Sequence, residues 1–197
     1  MLCVAALPRL LGALFYYPPS SPEIGQLLDN LDQIPELYRW QDKARVQQIC
    51  QQLHIPEAEA FNWQFSVLFE GQGEMQAPPW GSVYLDKDNL LMGDSTTRYR
   101  KFLQHNQLTF IRRQHEPEDQ FGLMLLALAC LLERKQEDAV VMLLEEHLLP
   151  WSHRYLHLLR ANTQSAFYAQ LAQITEQFLQ EIQHSHALSP RNDRIYR

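Results

Sequence analysis

The sequence predicts an all-α fold. The expected architecture is a single-domain helical bundle over residues 1–184, with one long ordered loop at about 71–93 and a C-terminal tail, 185–197, that frays. Three observations predict it. Phe121 to Leu132 is an unbroken apolar run with one glycine and no β-branched residue, and its Leu, Met and Ala lose little rotamer freedom in a helix. Leu, Gln, Ala and Glu outnumber Val and Ile, and only seven glycines punctuate 197 residues. Apolar residues also recur at helical spacing through most of the chain.

Leu7, Leu10, Leu11, Leu14 and Phe15 define a first helix that ends near Tyr16, ahead of Pro18-Pro19. Ser21 is placed to cap a second helix, with Pro22 at its first position and Leu27, Leu28 and Leu31 as its stripe. A third is expected over Pro35 to Leu53, with a solvated Gln-rich centre. Pro56 opens a fourth, whose Phe61, Phe65, Leu68 and Phe69 face the core.

From Gly71 to Gly93 regularity fails, because four glycines and two prolines forbid a continuous helix. Short extended pieces are expected at Ser82 to Leu85 and Asn89 to Met92. A structureless loop beyond about 12–15 residues is uncommon in a compact domain. This one carries Met75, Trp80, Tyr84, Leu90, Leu91 and Met92, too much apolar surface for disorder. An ordered, aromatic-rich loop reads as a binding element.

Asp94 or Ser95 caps the next helix, which runs to about His105. An extended piece, Leu108 to Ile111, leads through Arg112-Arg113 into the central helix. Pro117 suits that helix's first position, and Glu118 and Asp119 set negative charge against its dipole. A helix apolar all round is buried, and this one falls short of the roughly 20 residues of a membrane span. Glu137 to Leu149 is amphipathic, and Pro150-Trp151 bends the chain into another helix through Leu159. Ser165 starts the last helix, which buries Phe167, Leu171, Ile174, Phe178 and Ile182. Neither an internal repeat nor a domain linker stands out.

The formal charge of −6 argues against a nucleic-acid partner, which calls for a basic footprint, and suits a basic peptide. Cys3, Cys50 and Cys130 are scattered and odd in number, fitting a reducing cytoplasm rather than a disulfide framework or zinc site. The N-terminal apolar stretch lacks a basic leading segment and is interrupted by Pro8-Arg9. It reads as a first bundle helix rather than a signal peptide.

Catalytic patterns are thin. His153 and His157 stand four apart on a helix, but no metalloprotease glutamate accompanies them, and a solvated face is the plainer reading. Gly71-Gln72-Gly73 follows a helix and lacks the Lys-Ser/Thr ending of a phosphate loop. Trp80-Gly81-Ser82-Val83-Tyr84 lacks the second glycine of a nucleophile elbow. Cys130 lies deep in an apolar run, where a thiol stays protonated. No catalytic residue, metal or cofactor is expected.

Glu116, Glu118, Asp119 and Gln120 crowd the mouth of the central helix, and two readings stay open. One is ordinary N-terminal helix charge. The other is a site for a peptide with cationic heads and an apolar segment, since arginine pairs bidentately with carboxylate. Trp80 and Tyr84 likewise read either as core aromatics or as contacts for the apolar part of a peptide.

Four segments carry a resemblance: LLGALFYYPPSSPE, APPWGSVYLDKDNLLMGDST, EPEDQFG and HLLPWSHRYL, in order along the chain. They resemble the TorD/DmsD family of redox-enzyme maturation chaperones, over about Leu10 to Phe178. The resemblance implies a cytoplasmic, all-helical, non-enzymatic chaperone that is not an integral membrane protein. It implies binding to the twin-arginine leader of a molybdopterin-containing reductase subunit of the dimethyl sulfoxide type. The precursor would be held until cofactor insertion and folding are complete, then released to the twin-arginine translocase. By position, the leader-binding surface would draw Phe65, Leu68 and Phe69 from the fourth helix and Pro79, Trp80, Tyr84 and Gly93 from the loop. Glu116, Pro117, Asp119 and Gln120, with Glu118 between them, would come from the helix mouth. Asp119→Ala is then expected to weaken leader binding and leave the fold intact.

Two departures matter. Gln120 stands where the family motif has a histidine, so a proton-dependent role does not carry over, whereas a hydrogen-bonding role does. Gly73 stands where a branch of the family has a tryptophan, which removes one apolar contact, and Tyr84 replaces another tryptophan. Two further functions stay open: a guanine-nucleotide-binding factor, suggested within the family, and a helical scaffold for another basic or apolar peptide.

Overall fold

The architecture is organised on the crossing of two helices, α1 (Ala6–Tyr16) and α7 (Phe121–Glu133). Their backbones meet at two glycines. A Cβ on Gly12 would stand 2.8 Å from the carbonyl oxygen of Gly122, and one on Gly122 would stand 2.7 Å from that of Gly12. Both distances are inside van der Waals contact, so only glycine permits this approach. The computed structural model describes residues 5–110 and 116–197. Cys3, the end of the expected extended piece at Ile111, and Arg112-Arg113 lie outside them.

Around this pair the chain adds α2 (Pro22–Leu28), α3 (Lys43–Gln52), α4 (Ala58–Phe69), α5 (Gly81–Leu85), α6 (Asp94–His105), α8 (Glu137–Met142), α9 (Leu149–Arg160) and α10 (Ala166–Ser185). No strand is formed among the described residues, and the all-α expectation holds. α7 is buried on nearly every face, from Phe121 through Leu132. None of the described helices is long and apolar enough to cross a membrane.

Several expectations need correction. The helix expected over Pro35 to Leu53 is two elements, a 3-10 turn at Leu31–Glu36 and then α3. Between them Tyr38 and Trp40 turn inward against Phe178 of α10, with ring centroids 5.2 and 6.4 Å away. Burying those rings bends the chain, and the Asp42 side chain restarts the helix by accepting from Arg45 N–H at 3.0 Å. The piece Ser82 to Leu85, expected to be extended, belongs to helix α5, and a 3-10 turn follows at Lys87–Asn89.

The central helix does not begin at Pro117. Gln120 is its N-cap, and its side chain accepts from Leu123 N–H at 3.0 Å. Glu118 and Asp119 therefore precede the first turn, because residues 119–121 pair with the loop instead. The helix expected after Pro150-Trp151 is α9, which starts at Leu149 with the proline in its first turn. A π-helical turn, Leu143–Leu148, joins α8 to α9, and Leu149 N–H reaches back to Leu144 carbonyl. Pro150 has no N–H to return to the preceding turn, and the widened ladder lies immediately before it.

α10 begins as expected at Ser165, whose side chain accepts from Tyr168 N–H. The tail beyond it, expected to fray, lies against the body. Arg191 N–H donates to Glu145 carbonyl, and Tyr196 N–H donates to Tyr84 carbonyl, both at 2.9 Å. Arg154 and the Arg197 guanidinium add further bonds at the chain end.

Candidate peptide-binding cleft

The four segments quoted above are joined by the fold. Gly81 N–H donates to Asp119 carbonyl at 3.1 Å and Phe121 N–H to Pro79 carbonyl at 2.7 Å, so Trp80 and Gln120 form an antiparallel bridge. Asp119 Oδ2 accepts from Ser82 N–H at 2.6 Å and from the Thr96 hydroxyl at 3.0 Å. One carboxylate thus ties the segment before α7 to the start of α5 and to α6. Asp86 plays the matching part for α6, accepting from Ser95 N–H at 3.1 and 3.2 Å. This corrects the expected Asp94 or Ser95 cap: the N-cap is Gly93, and the capping carboxylate comes from outside the helix. A Cβ on Gly93 would collide with the Asp86 carboxylate, so glycine leaves the room that cap needs.

HLLPWSHRYL closes the junction. Trp151 stacks on Tyr84 at 5.3 Å between centroids, and a Cβ on Gly81 would meet the Trp151 indole at 2.9 Å. Tyr84 is fully buried and serves as a core aromatic. Burial drives its hydroxyl pKa far above the ordinary tyrosine value, partly offset by Arg197 and Arg154.

Asp119 is only 3% exposed, and Gln120 only 2%. Burial raises the Asp119 pKa, against the hydrogen bonds from Ser82 and Thr96 that lower it. Its expected position facing a leader's arginines is corrected: the carboxylate is directed inward. The bonds to Ser82 and Thr96 give the same carboxylate a structural use. Gln120 is likewise used internally, donating to Phe15 carbonyl at 2.9 Å while its oxygen caps α7. Pro79 and Pro117 are buried beside them. Glu118 is ion-paired with Arg100 at 2.7 Å.

Beside this junction lies an open cleft whose empty volume, with the open space at its mouth included, is about 550 Å³. Phe65 and Phe69 of α4 form its floor, Tyr16, Tyr17 and Pro18 at the end of α1 form one wall, and Glu70, Glu116 and Gln120 line the other side. Trp80 donates its indole N–H to Glu116 Oε1 at 2.6 Å, which fixes the carboxylate near the rim. Burial pushes the Glu116 pKa upward most, the Trp80 bond opposes this, and the negative charges of Asp119 and Glu70 add to the rise. A cleft with an aromatic floor and two carboxylates at its edge can take an apolar segment and a cationic head together.

Of the residues expected from sequence, Phe65, Phe69, Glu116 and Gln120 come together here, with Trp80 held against Glu116. Leu68 faces away, toward Met75 and Ala77 in a separate cavity. Tyr16, Tyr17, Pro18 and Glu70 were missed. The tyrosine pair and Pro18 sit in a segment that had been singled out, and Glu70 is one residue past the aromatic stripe. Nothing local showed that α1 would end beside α4.

An all-helical maturation chaperone is the class that this fold and motif junction define. The family model described as the nitrate reductase delta subunit matches residues 39–157. The probable Tat proofreading chaperone DmsD of Haemophilus influenzae is 35% identical over 192 residues, covering 96% of this chain and 94% of that one. The Tat proofreading chaperone DmsD of Salmonella typhimurium is 36% identical over 171 residues, covering 86% and 84%. A crystal structure of a proposed redox enzyme maturation protein from Archaeoglobus fulgidus shares the fold, with a TM-score of 0.57 at 18% identity over 89% of this chain and 93% of that one. The chain belongs to the TorD/DmsD family of redox-enzyme maturation chaperones, and is a chaperone rather than an enzyme.

Proposed function

We propose that this chaperone binds the twin-arginine leader of a molybdopterin-containing reductase subunit of the dimethyl sulfoxide type. It acts in the cytoplasm, holding the precursor until cofactor insertion and folding are done, and then yields it to the twin-arginine translocase. The observation that carries the reading is the cleft in which Glu116 and Glu70 stand over Phe65 and Phe69. The leader's apolar stretch lies on the aromatic floor, and an arginine pairs with carboxylate at the rim. Trp80 orients Glu116. Asp119, Gln120, Tyr84 and Gly93 are positioning residues that hold the rim segments in register, and Pro79 and Pro117 stiffen the paired backbone.

Release must remain possible, so the affinity is expected near micromolar, about −8 kcal/mol. Calorimetric titration with a synthetic twin-arginine leader, beside a control whose two arginines are lysines, tests it. Tight binding to the first and weak binding to the second supports an arginine-reading rim. No binding to either removes the proposal.

A further inference from the structure

We propose that the outward face of α4, centred on Trp63, is a second docking surface for the basic part of the same peptide partner. The inference rests on the cleft being a peptide site and extends that site along the helix.

Trp63 is 55% exposed, although it sits mid-helix on an element whose other rings, Phe61, Phe65 and Phe69, are buried. Glu59, Trp63, Ser66 and Glu70 are spaced four, three and four residues apart and so form one outward stripe. The Ser66 hydroxyl donates to Glu70, which steadies that carboxylate at the end of the stripe. Glu70 is also a lining residue of the cleft, so the stripe and the cleft are continuous.

Charge selects the occupant. The 41 residues from Val46 through Asp86 contain no Lys or Arg, while carrying Glu57, Glu59, Glu70, Glu74 and Asp86. On α4 itself the stripe carries Glu59 and Glu70 and no Lys or Arg, and its exposed large side chain, Trp63, is the aromatic that best attracts a cation. An extended peptide with its apolar stretch in the cleft passes Glu70 at the rim and runs its flanking basic residues over Trp63. Guanidinium groups can pair with Glu59 or Glu70 and stack on the indole at once.

The test follows the Trp63 indole N–H signal by nuclear magnetic resonance, assigned with Trp63→Phe, in the full-length chain. Three probes are used: a synthetic twin-arginine leader, the same peptide with every Arg and Lys replaced by Gln, and an octa-arginine peptide. The signal is expected to move with the first and third probes and not with the second. Trp63→Ala, which removes an exposed side chain, is expected to weaken leader binding about two- to fivefold and to leave the melting temperature unchanged. A leader that binds at wild-type affinity while the Trp63 signal stays still overturns the second surface and leaves the cleft standing. Octa-arginine moving the signal when the leader does not bind supports an acidic docking face and removes the leader assignment. No movement with any probe overturns the inference.

Discussion

Trp80 and Glu116 are a coupled pair: the loop's indole N–H holds the carboxylate at the mouth of the cleft across 2.6 Å. Because burial and neighbouring carboxylates raise the Glu116 pKa, the group protonates at a higher pH than an ordinary glutamate. Only the ionised form pairs with a guanidinium, so leader affinity is expected to fall as pH drops, starting above the usual carboxylate range. Trp80→Phe removes the bond that opposes the rise and should move that onset to still higher pH. Calorimetry across pH for both proteins checks it, and coincident profiles count against Glu116 as the arginine reader.

Asp119→Ala should unfold the protein more readily. It strips the acceptor from a buried N–H of Ser82 and a buried hydroxyl of Thr96, at about 3–5 kcal/mol for two bonds to a carboxylate. Asp119→Asn keeps an acceptor oxygen and should retain most of the stability. The sign with pH follows from the raised native pKa. As pH rises, the unfolded chain ionises first, so this group's contribution to stability declines through the interval between the two pKa values. The asparagine variant lacks that decline. Urea midpoints at several pH values distinguish the three proteins.

His147 lies against the rings of Tyr99 and Phe102, 5.3 and 5.0 Å between centroids. Burial first, then Arg191 and Arg98, lowers its pKa to about 4. Below its unfolded value near 6.5 the unfolded chain takes a proton that the native state refuses. Stability is therefore lost as pH falls from about 6.5 to 4, by at most about 3 kcal/mol from this group. The difference in unfolding free energy between wild type and His147→Gln should carry that slope.

Gly122→Ala tests the helix crossing. Its Cβ would lie 2.7 Å from Gly12 carbonyl oxygen and 2.9 Å from Tyr16 nitrogen, both backbone atoms. Rigid backbone cannot rotate away as a side chain would, so a loss of about 1–3 kcal/mol is expected. At about 2–4 °C per kcal/mol for a chain of this size, a thermal melt resolves it. Tyr16 and Tyr17 border the cleft, so weaker leader binding should accompany the shift.

The sequence by itself determined the helical class, the burial of α7 and the positions of α1, α4, α6 and α10. Those properties come from local propensity and apolar spacing, which act within a few turns. It also marked the four segments that meet, without showing how. Only the tertiary structure decided that Asp119 is directed inward, that Tyr84 stacks on Trp151, and that α7 starts at Phe121 rather than Pro117. Each depends on a partner tens of residues away: Asp119 on Ser82 and Thr96, Tyr84 on Trp151, Gln120 on Trp80. A carboxylate ahead of an apolar helix has the same local pattern whether it faces solvent or a distant backbone N–H. Tertiary packing decides between the two, because a buried acceptor must find its donors wherever the fold supplies them.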